Sequence, residues 1–176
     1  MIFIGIDNGV SGSVGIINEH SVAIFPMPVR KVLNYTKSKQ FLNRVNGKDL
    51  MEMLRWLTTS LVLGGPGPQK ETFCMIERPM VNPKRWKASM SAMRALEATE
   101  TVLELMKIPY EFIDSKEWQK QLLPKGLEGE ELKLASLRVG KRLFPTVDLN
   151  RHTDADGLLI AEFAKRIWNI RNGPNG

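Results

Sequence analysis

The chain opens on the apolar run Ile2-Phe3-Ile4-Gly5-Ile6-Asp7, and a second run, Thr72-Phe73-Cys74-Met75-Ile76-Glu77, also ends on a single carboxylate. A third acidic group, His152-Thr153-Asp154-Ala155-Asp156, precedes the apolar stretch Gly157-Leu158-Leu159-Ile160-Ala161. A strand that is apolar along its length and acidic at its end places one negative charge at the edge of a buried sheet. We therefore expect the fold to gather these charges, which are far apart in the sequence, around divalent metal.

The pattern of apolar residues predicts the element order β-β-β-α-β-α-β-α-α-α, which is a mixed α/β plan. The predicted strands cover residues 2–7, 13–17, 21–25, 72–77 and 110–113. The predicted helices cover residues 48–63, 88–107, a short segment around Trp118, 130–143 and 153–170. Between the third strand and the first helix, the sequence predicts a long loop, and loops of this length are commonly functional.

Length and composition indicate one domain, which we place at residues 1–170, followed by a disordered tail at 171–176. No apolar run reaches the length of a membrane span, and the first strand begins too early to leave room for a signal peptide. The single cysteine, Cys74, lies inside an apolar strand and is typical of a buried thiol in a reducing compartment. The sequence therefore predicts a cytoplasmic protein without a membrane partner.

Basic residues are concentrated in two segments that flank the predicted acidic site. Residues 27–48 contain no acid, and their six cations equal the net charge of +6 of the whole chain: Arg30, Lys31, Lys37, Lys39, Arg44 and Lys48. Directly after Glu77 come four more cations, again without an acid: Arg78, Lys84, Arg85 and Lys87. Solvated basic loops are the simpler reading of either segment alone. Because both flank the acids, a bound polyanion such as DNA explains them better.

Several other classes of site are excluded. The turn Ser11-Gly12-Ser13 after the first acidic strand also opens the sugar-kinase and actin class, but those proteins need about twice this length. The glycine-rich segments lack the Lys-Ser or Lys-Thr ending of a phosphate-binding P-loop. One cysteine and two histidines are too few and too scattered for a zinc site.

Each acid also has a structural explanation. Asp7 precedes Asn8-Gly9 and could simply cap that turn. Glu77 is harder to explain in this way because glutamate is a poor residue for strands and turns. It is either functional or paired with Arg78, and we favour a functional role. Thr153 followed by Asp156 imitates the capping box of a helix start, which would account for Asp156 without chemistry.

His152 and Asp154 are alternative partners for Asp156. Asp154 is two residues away, so it can share a metal with Asp156 only if it lies outside the regular helix. His152 is four residues away and shares a helix face with Asp156 only if the helix begins by residue 152. The two possibilities therefore require different starting points for the last helix.

An aromatic residue, Trp86, lies in the basic segment Lys84-Arg85-Trp86-Lys87, which is predicted to be a loop. A tryptophan in such a position usually folds back onto the core. The alternative is a side chain that stacks on, or wedges between, opened bases. Met80 and Val81 are further candidates for that role.

Taken together, these motifs resemble those of the RuvC-type Holliday-junction resolvases, especially their phage-borne relatives, within the RNase H-like superfamily. The resemblance is carried by Ile4-Gly5-Ile6-Asp7-Asn8-Gly9, Met75-Ile76-Glu77-Arg78-Pro79 and Asp154-Ala155-Asp156-Gly157-Leu158-Leu159-Ile160-Ala161-Glu162. Those relatives also carry a string similar to Ile108-Pro109-Tyr110-Glu111-Phe112-Ile113 followed by Trp118-Gln119-Lys120, at the same place in the chain. The resemblance as a whole extends over about residues 1–168.

The resemblance implies an RNase H-like mixed five-stranded sheet flanked by helices, in which the first and fourth predicted strands are neighbours. It implies that Asp7, Glu77, Asp156 and either Asp154 or His152 hold two Mg²⁺ ions, with Mn²⁺ as a substitute. These enzymes commonly place another polar ligand three residues before the last aspartate. That position is Thr153 here, so the role passes to Asp154, which we prefer, or to His152. The resemblance also makes Trp86 the counterpart of an aromatic residue that probes the junction centre.

The activity implied is two-metal hydrolysis of four-way DNA junctions in a bacterial or phage-infected cell. Two active sites are needed for symmetric cleavage, so a C2 homodimer is implied, with the helix 88–107 as its expected interface. Another RNase H-like nuclease, acting on RNA–DNA hybrids or as an exonuclease, would have the same acids. A non-catalytic DNA-binding module of the same fold is the alternative outside enzymes.

Overall fold

The computed structural model describes residues 1–34, 40–59 and 71–173. In this part of the chain, seven strands and five helices form. The strands are β1 (Ile2–Ile6), β2 (Ser13–Ile17), β3 (Val22–Pro26), β4 (Val29–Leu33), β5 (Phe41–Val45), β6 (Thr72–Glu77) and β7 (Tyr110–Ile113). The helices are α1 (Gly47–Thr59), α2 (Trp86–Leu105), α3 (Ser115–Leu122), α4 (Gly129–Leu143) and α5 (Asp156–Asn172), and a 3₁₀ turn at Pro83–Arg85 precedes α2.

The main sheet has five strands in the order β3-β2-β1-β6-β7. Strands β1, β2 and β3 pair antiparallel, whereas β6 pairs parallel with both β1 and β7. This arrangement confirms the mixed five-stranded sheet predicted from the sequence. It also confirms that the two strands with terminal acids, β1 and β6, are neighbours.

The central strands are buried on both faces because alternate side chains enter two different cores. On one face, Phe3 and Met75 pack with residues of α3, α4 and α5, including the fully buried Trp118. On the other face, Ile4 and its neighbours pack with residues of α1 and α2, such as Leu103. The continuous apolar runs of β1 and β6 follow from this double burial.

Glycines allow α5 to lie directly on β1 and β2. A Cβ atom on Gly5 would be 2.1 Å from the backbone nitrogen of Ala161, and one on Gly15 would be 2.4 Å from the carbonyl oxygen of Gly157. Neither distance is possible for a real side chain, so both strand positions must be glycine for the helix to approach this closely. The approach brings the start of α5 to the acidic end of β1.

Strands β4 and β5 form a separate antiparallel hairpin, in which Arg30 pairs with Arg44 and Leu33 pairs with Phe41. The prediction of one long loop between the third strand of the main sheet and the first helix was therefore wrong. The strand sequences Val-Arg-Lys-Val-Leu and Phe-Leu-Asn-Arg-Val lack strict alternation, and most of their side chains are exposed or half-buried. A hairpin that buries so little apolar surface leaves only a weak pattern in the sequence.

The second helix begins earlier than predicted, at Trp86, so Trp86 and Lys87 are helical residues rather than loop residues. The preceding turn explains this start. The side chain of Asn82 accepts a hydrogen bond from the backbone nitrogen of Lys84 at 2.9 Å, and Pro83 follows it with its φ angle already suited to a helix.

The last helix is displaced at both ends relative to the prediction. It begins at Asp156 instead of Thr153, and it continues to Asn172. Arg171 and Asn172, which the sequence analysis placed in a disordered tail, are therefore helical, and the Arg171 guanidinium lies 2.7 Å from a carboxylate oxygen of Glu111. Residues 174–176 lie outside the described residues. None of the described helices combines the length and apolarity that crossing a membrane requires.

Candidate metal centre

The ends of β1 and β6 bring two acids to the same edge of the sheet. The parallel register pairs Ile6 with Ile76. Asp7 and Glu77 come directly after these two residues, so they lie side by side where both strands end. Beyond β1, the backbone nitrogen of Asp7 donates to the carbonyl oxygen of Ser13 at 3.0 Å. This bond turns the chain back into β2 and fixes the position of Asp7.

The start of α5 is anchored to the same turn. The backbone nitrogen of Gly157 donates to the hydroxyl of Ser13 at 3.1 Å. A Cβ atom on Gly157 would be 2.6 Å from the carbonyl oxygen of Ser13, so this contact also depends on a glycine. Because the helix begins at Asp156, Asp154 lies in irregular chain just before it. This geometry meets the condition for Asp154 to act with Asp156, and it does not meet the condition for His152.

Three carboxylates converge at this point. One oxygen from each of Asp7, Asp154 and Asp156 lies within 4.8 Å of the other two. Among the described residues, Glu77 and His152 are not part of this group. Glu77 lies near enough for its charge to raise the pKa of Asp7. The structure therefore brings together three of the predicted acids, places Glu77 beside them and leaves His152 outside the group.

Hydrogen bonds hold the acids on the α5 side. Asp154 accepts a hydrogen bond from the Thr153 hydroxyl at 3.1 Å and one from the backbone nitrogen of Asp156 at 3.4 Å. Asp156 accepts a hydrogen bond from the hydroxyl of Ser136 in α4, and that hydroxyl in turn accepts from the backbone nitrogen of Ala155 at 3.0 Å. Thr153 and Asp156 thus contact other partners instead of forming the capping box considered from the sequence.

Glu77 is held from a different direction. The indole nitrogen of Trp118, a fully buried residue of α3, donates to Glu77 Oε2 at 2.7 Å. Arg78 does not provide this contact, because its guanidinium lies 3.6 Å from a carboxylate oxygen of Asp114 and over the ring of Phe112. The pairing of Glu77 with Arg78 that the sequence left open is therefore replaced by a tryptophan.

The pKa values of these acids reflect burial and mutual repulsion. Burial, followed by the charges of Glu77, Asp156 and Asp154, holds the pKa of Asp7 well above its usual range. Burial raises the pKa of Glu77 to about 7, although the Trp118 hydrogen bond opposes the rise. Burial raises the pKa of Asp156 to about 6, although the Ser136 hydrogen bond opposes it. Such a group gains from a bound cation that offsets the repulsion.

The nearby cation is Lys133 of α4. Its charge lowers the pKa of both Asp7 and Asp156, against the larger effect of burial. The ammonium group lies 3.8 Å from a carboxylate oxygen of Glu130, and its side chain is half exposed. Lys133 therefore lies close enough to the acidic group for its charge to act on two of the three aspartates.

The residues present suit a hard divalent cation. All three donors of the group are carboxylates, and hard oxygen ligands are those that Mg²⁺ and Mn²⁺ prefer. Glu77 offers a further carboxylate beside them. Asp7, Asp154 and Asp156, with Glu77, are thus the residues that would hold such an ion, and sulfur or imidazole ligands are not involved.

The predicted DNA-binding residues lie on two segments of the chain that are close together in space. Arg30, Lys31 and Arg44 are on the β4–β5 hairpin, and Arg44 Nη1 donates to the Ser91 hydroxyl of α2 at 2.9 Å. Lys84 and Arg85 are exposed in the 3₁₀ turn.

The second of these segments continues from the 3₁₀ turn into α2. Trp86 is largely exposed, with the Lys87 ammonium 5.9 Å from the centre of its ring, so the ring does not fold back onto the core. Met80 and Val81 are also exposed. Lys37 and Lys39 lie outside the described residues.

Sequence reasoning missed four residues around the acids: Ser13, Trp118 as a partner of Glu77, Lys133 and Ser136. Ser136 and Lys133 are in a helix whose apolar stripe includes Ala135 and Val139. A serine buried next to such a stripe was a usable signal, because a buried hydroxyl needs a partner. The other contacts join elements far apart in sequence and left no local pattern.

The chain was compared with protein families, with curated protein sequences and with solved structures. No protein-family model matches the chain, and no curated protein sequence matches it. Among solved structures, it is similar to Thermus thermophilus RuvC, with a TM-score of 0.55 and 14% identity over 98% of this chain and 97% of that one. It is also similar to T. thermophilus RuvC in complex with Holliday junction substrate, with a TM-score of 0.53 and 14% identity over 98% of this chain and 96% of that one. The chain thus has the RuvC form of the RNase H-like fold.

Proposed function

We propose that the protein is a metal-dependent endonuclease that cleaves four-way DNA junctions. The observation that carries the proposal is the group of Asp7, Asp154 and Asp156, with Glu77 beside it, on a fold shared with RuvC. Two bound Mg²⁺ ions would supply activation of the attacking water and stabilisation of the departing 3′ oxygen. Asp7, Glu77, Asp154 and Asp156 are the proposed ligands.

The chain's own residues then have distinct tasks. Trp118 orients Glu77, and Ser136 and Thr153 orient the acids next to α5. Lys133 can attract a phosphate group toward the acids. The cations of the hairpin and of residues 78–87 bind the phosphates of the DNA arms, which predicts an affinity that falls steeply with salt.

A C2 homodimer completes the proposal, because symmetric cleavage of a junction needs two active sites. We place the contact on α2, where Met93 and Leu105 are exposed. Large apolar side chains on a helix surface are typical of a face that another chain covers.

The test is cleavage of synthetic four-way junction, duplex and RNA–DNA hybrid substrates in Mg²⁺, Mn²⁺ or EDTA. We expect the junction to be cut, and only with metal. Asp7→Asn, Glu77→Gln and Asp156→Asn should abolish cleavage and keep junction binding in EDTA, because they remove ligands but not the basic surface. Asp49→Asn, an exposed acid at the start of α1, is the matched control and should cleave normally.

Other outcomes would contradict the proposal. Near-normal turnover by Asp7→Asn would exclude the proposed ligand set. Preferential cleavage of the hybrid would indicate a different RNase H-like nuclease. Metal-independent binding without cleavage of any substrate would indicate a DNA-binding module. An affinity that does not change with salt would contradict phosphate binding by the basic segments.

A further inference from the structure

A groove of about 690 Å³ lies between β5 of the hairpin and the N-terminal part of α2. The side chains that matter for its chemistry are those of Phe41, Arg44, Trp86, Lys87, Met90 and Arg94. A smaller recess of about 200 Å³ shares Arg44 and Arg94 with it and extends to Arg30. The volume is in the range of about 300–1,000 Å³ that is usual for ligand sites in proteins.

The groove exposes large apolar side chains. Phe41 is 64% exposed, Trp86 is 60% exposed and Met90 is 54% exposed, although all three border the same depression. Side chains of this size are normally mostly buried, and a cluster of exposed ones marks a surface that binds a ligand or a partner. Two of the three are aromatic rings, which offer flat faces to a ligand.

The charge around the groove is of one sign. Arg30, Arg44, Lys87 and Arg94 border the groove and its recess, and no acid is among the described residues that line them. The hydrogen bond from Arg44 to Ser91 holds the hairpin against α2, so one wall of the groove is fixed to the other. A ligand that fits this surface is anionic and also carries flat apolar groups.

The groove also reaches the turn that follows Asp7. Val10, three residues after Asp7, lines both the groove and the recess. The turn between Asp7 and Val10 is held to α2 by Asn8. The Asn8 side chain donates to the Ala92 carbonyl at 3.5 Å and accepts from the Thr99 hydroxyl at 3.1 Å. A polymer that lies in the groove therefore passes the turn that carries Asp7.

We infer that this groove holds an unpaired segment of a DNA strand, with bases against Phe41, Trp86 and Met90 and phosphates at Arg44 and Arg94. Single strands are bound by this combination of cations and stacking rings, whereas the faces of paired bases are covered by their neighbours. The inference rests on the proposed function for its link to the acids. It adds a strand-binding site built by a hairpin outside the main sheet.

The test measures binding without catalysis. A short fluorescent oligothymidylate and a duplex of the same length are titrated in EDTA, and fluorescence anisotropy is recorded at several salt concentrations. Phe41→Ala and Met90→Ala should weaken single-strand binding by about fivefold or more, because each removes a stacking surface. Arg94→Gln should lower the slope of log affinity against log salt by about 0.7, the value for one phosphate contact on a single strand.

Two controls match these variants. Ile170→Ala removes an equally exposed apolar side chain from α5, and Arg142→Gln removes an exposed arginine from α4. Both should bind the oligonucleotide like the wild type. The altered groove side chains are largely exposed, so the variants should keep the melting temperature of the wild type. A duplex affinity that changes much less than the single-strand affinity is part of the expected result.

Photocrosslinking locates the strand. An oligonucleotide that carries 5-iododeoxyuridine should form adducts at Phe41 or Trp86, identified by mass spectrometry of the digested protein. Adducts only at other sites would overturn the inference, and so would unchanged affinity of Phe41→Ala. Efficient competition by polyglutamate, unaffected by Phe41→Ala, would identify an acidic polypeptide as the occupant and also overturn it.

The groove could instead be covered by a second copy of the chain, and this occupant must be distinguished from a DNA strand. Loss of the dimer in light scattering by Phe41→Ala, with single-strand affinity per protomer unchanged, would overturn the inference. The outcome of the single-strand binding experiments can also be distinguished from the outcome of the junction-cleavage experiments that test the proposed function. Weakened single-strand binding in a protein that never cleaves junctions supports the groove and rejects the nuclease, whereas junction cleavage with unaffected binding by the variants rejects only the groove.

Discussion

Glu77 illustrates how a single side chain depends on distant parts of the chain. Its backbone is placed by the pairing of β6 with β1, and its carboxylate is oriented by the indole of Trp118 in α3. The indole nitrogen is a donor only, so it stabilises the charged carboxylate and leaves the other oxygen to a second partner. If Glu77 is a metal ligand as proposed, Trp118 is the residue that positions it.

Replacing Trp118 by phenylalanine keeps an aromatic ring in the core and removes the donor to Glu77. We expect metal affinity, or metal-dependent cleavage, to fall by about 10–100-fold, as is usual when a group that orients a ligand is lost. The measurement is Mn²⁺ binding by calorimetry, with Trp56→Phe, a half-exposed tryptophan of α1, as the control.

A purely structural role for Trp118 would give a different pattern. The Glu77→Gln variant has already lost the carboxylate, so adding Trp118→Phe to it should cost little further metal affinity. If the tryptophan substitution lowers metal affinity equally in both backgrounds, it acts through general destabilisation, and the positioning role is rejected.

Asp154 and His152 were alternative ligands in the sequence analysis, and the structure favours Asp154. Asp154 lies before the regular helix and within the group of three carboxylates, and its oxygen suits Mg²⁺. Asp154→Asn should reduce Mg²⁺-dependent cleavage by about 100-fold or more, since loss of a ligand costs at least as much as loss of a partner that orients one. His152→Ala should be much milder. Cleavage rates of the two variants in Mg²⁺ decide between them, and a crippled His152→Ala would require a different ligand set.

How far single residues could be predicted depended on where their partners lie. Asp7 and Glu77 were recognisable because each interrupts an apolar run, which is a local signal. The role of Trp118 was not, because its partner is 41 residues away and a buried tryptophan needs no polar partner to explain it. Lys133 was equally hidden, since a lysine on an exposed helix face is common.

Among the elements, α5 has the strictest requirements because it lies on β1 and β2 through glycines on both sides. Gly157→Ala would place a Cβ atom 2.6 Å from the Ser13 carbonyl oxygen, so the helix must move away from the sheet. We expect the free energy of unfolding to fall by about 1–3 kcal/mol. For a chain of this size the melting temperature should drop by about 2–4 °C for each kcal/mol.

Gly47→Ala is the matched control for this prediction. A Cβ atom there would meet only Val102 at 3.5 Å, an ordinary van der Waals distance. Its melting temperature should stay close to that of the wild type. Equal melting temperatures for Gly157→Ala and Gly47→Ala would show that α5 can shift without cost and that its packing on β2 does not require a glycine at position 157.

The elements differed in how well the sequence predicted them. The five strands of the main sheet were predicted because burial on one or both faces forces apolar residues into long runs or alternation. The hairpin of β4 and β5 was not, since its strands are held by pairing with each other and by contacts to α2 such as Arg44 with Ser91. Most side chains of the two strands are exposed or half-buried and several are charged, which in a sequence resembles a loop.

The acidic centre makes the stability of the folded protein depend on pH. The pKa of Asp7 is raised well above its usual range, that of Glu77 to about 7 and that of Asp156 to about 6. An acid with a raised pKa binds protons more tightly in the folded protein than in the unfolded chain, where carboxyl pKa values are about 4. The stability it contributes is fully present below about pH 4 and is lost as the pH rises through the folded pKa.

Without metal, these groups should therefore make the protein less stable as the pH rises from 5 to about 7.5. Asp7→Asn removes one charge, so at pH 7.5 in EDTA it should melt about 2–4 °C above the wild type, which corresponds to about 1 kcal/mol. Mg²⁺ should raise the melting temperature of the wild type at pH 7.5 much more than at pH 5, because protons compete with the metal for the carboxylates. Asp7→Asn should gain little from Mg²⁺ at either pH. Thermal melts at the two pH values, with EDTA or Mg²⁺, measure all of these differences. Two results in EDTA together would contradict mutual repulsion among the acids: a wild type that becomes more stable as the pH rises, and an Asp7→Asn variant that melts below the wild type at pH 7.5.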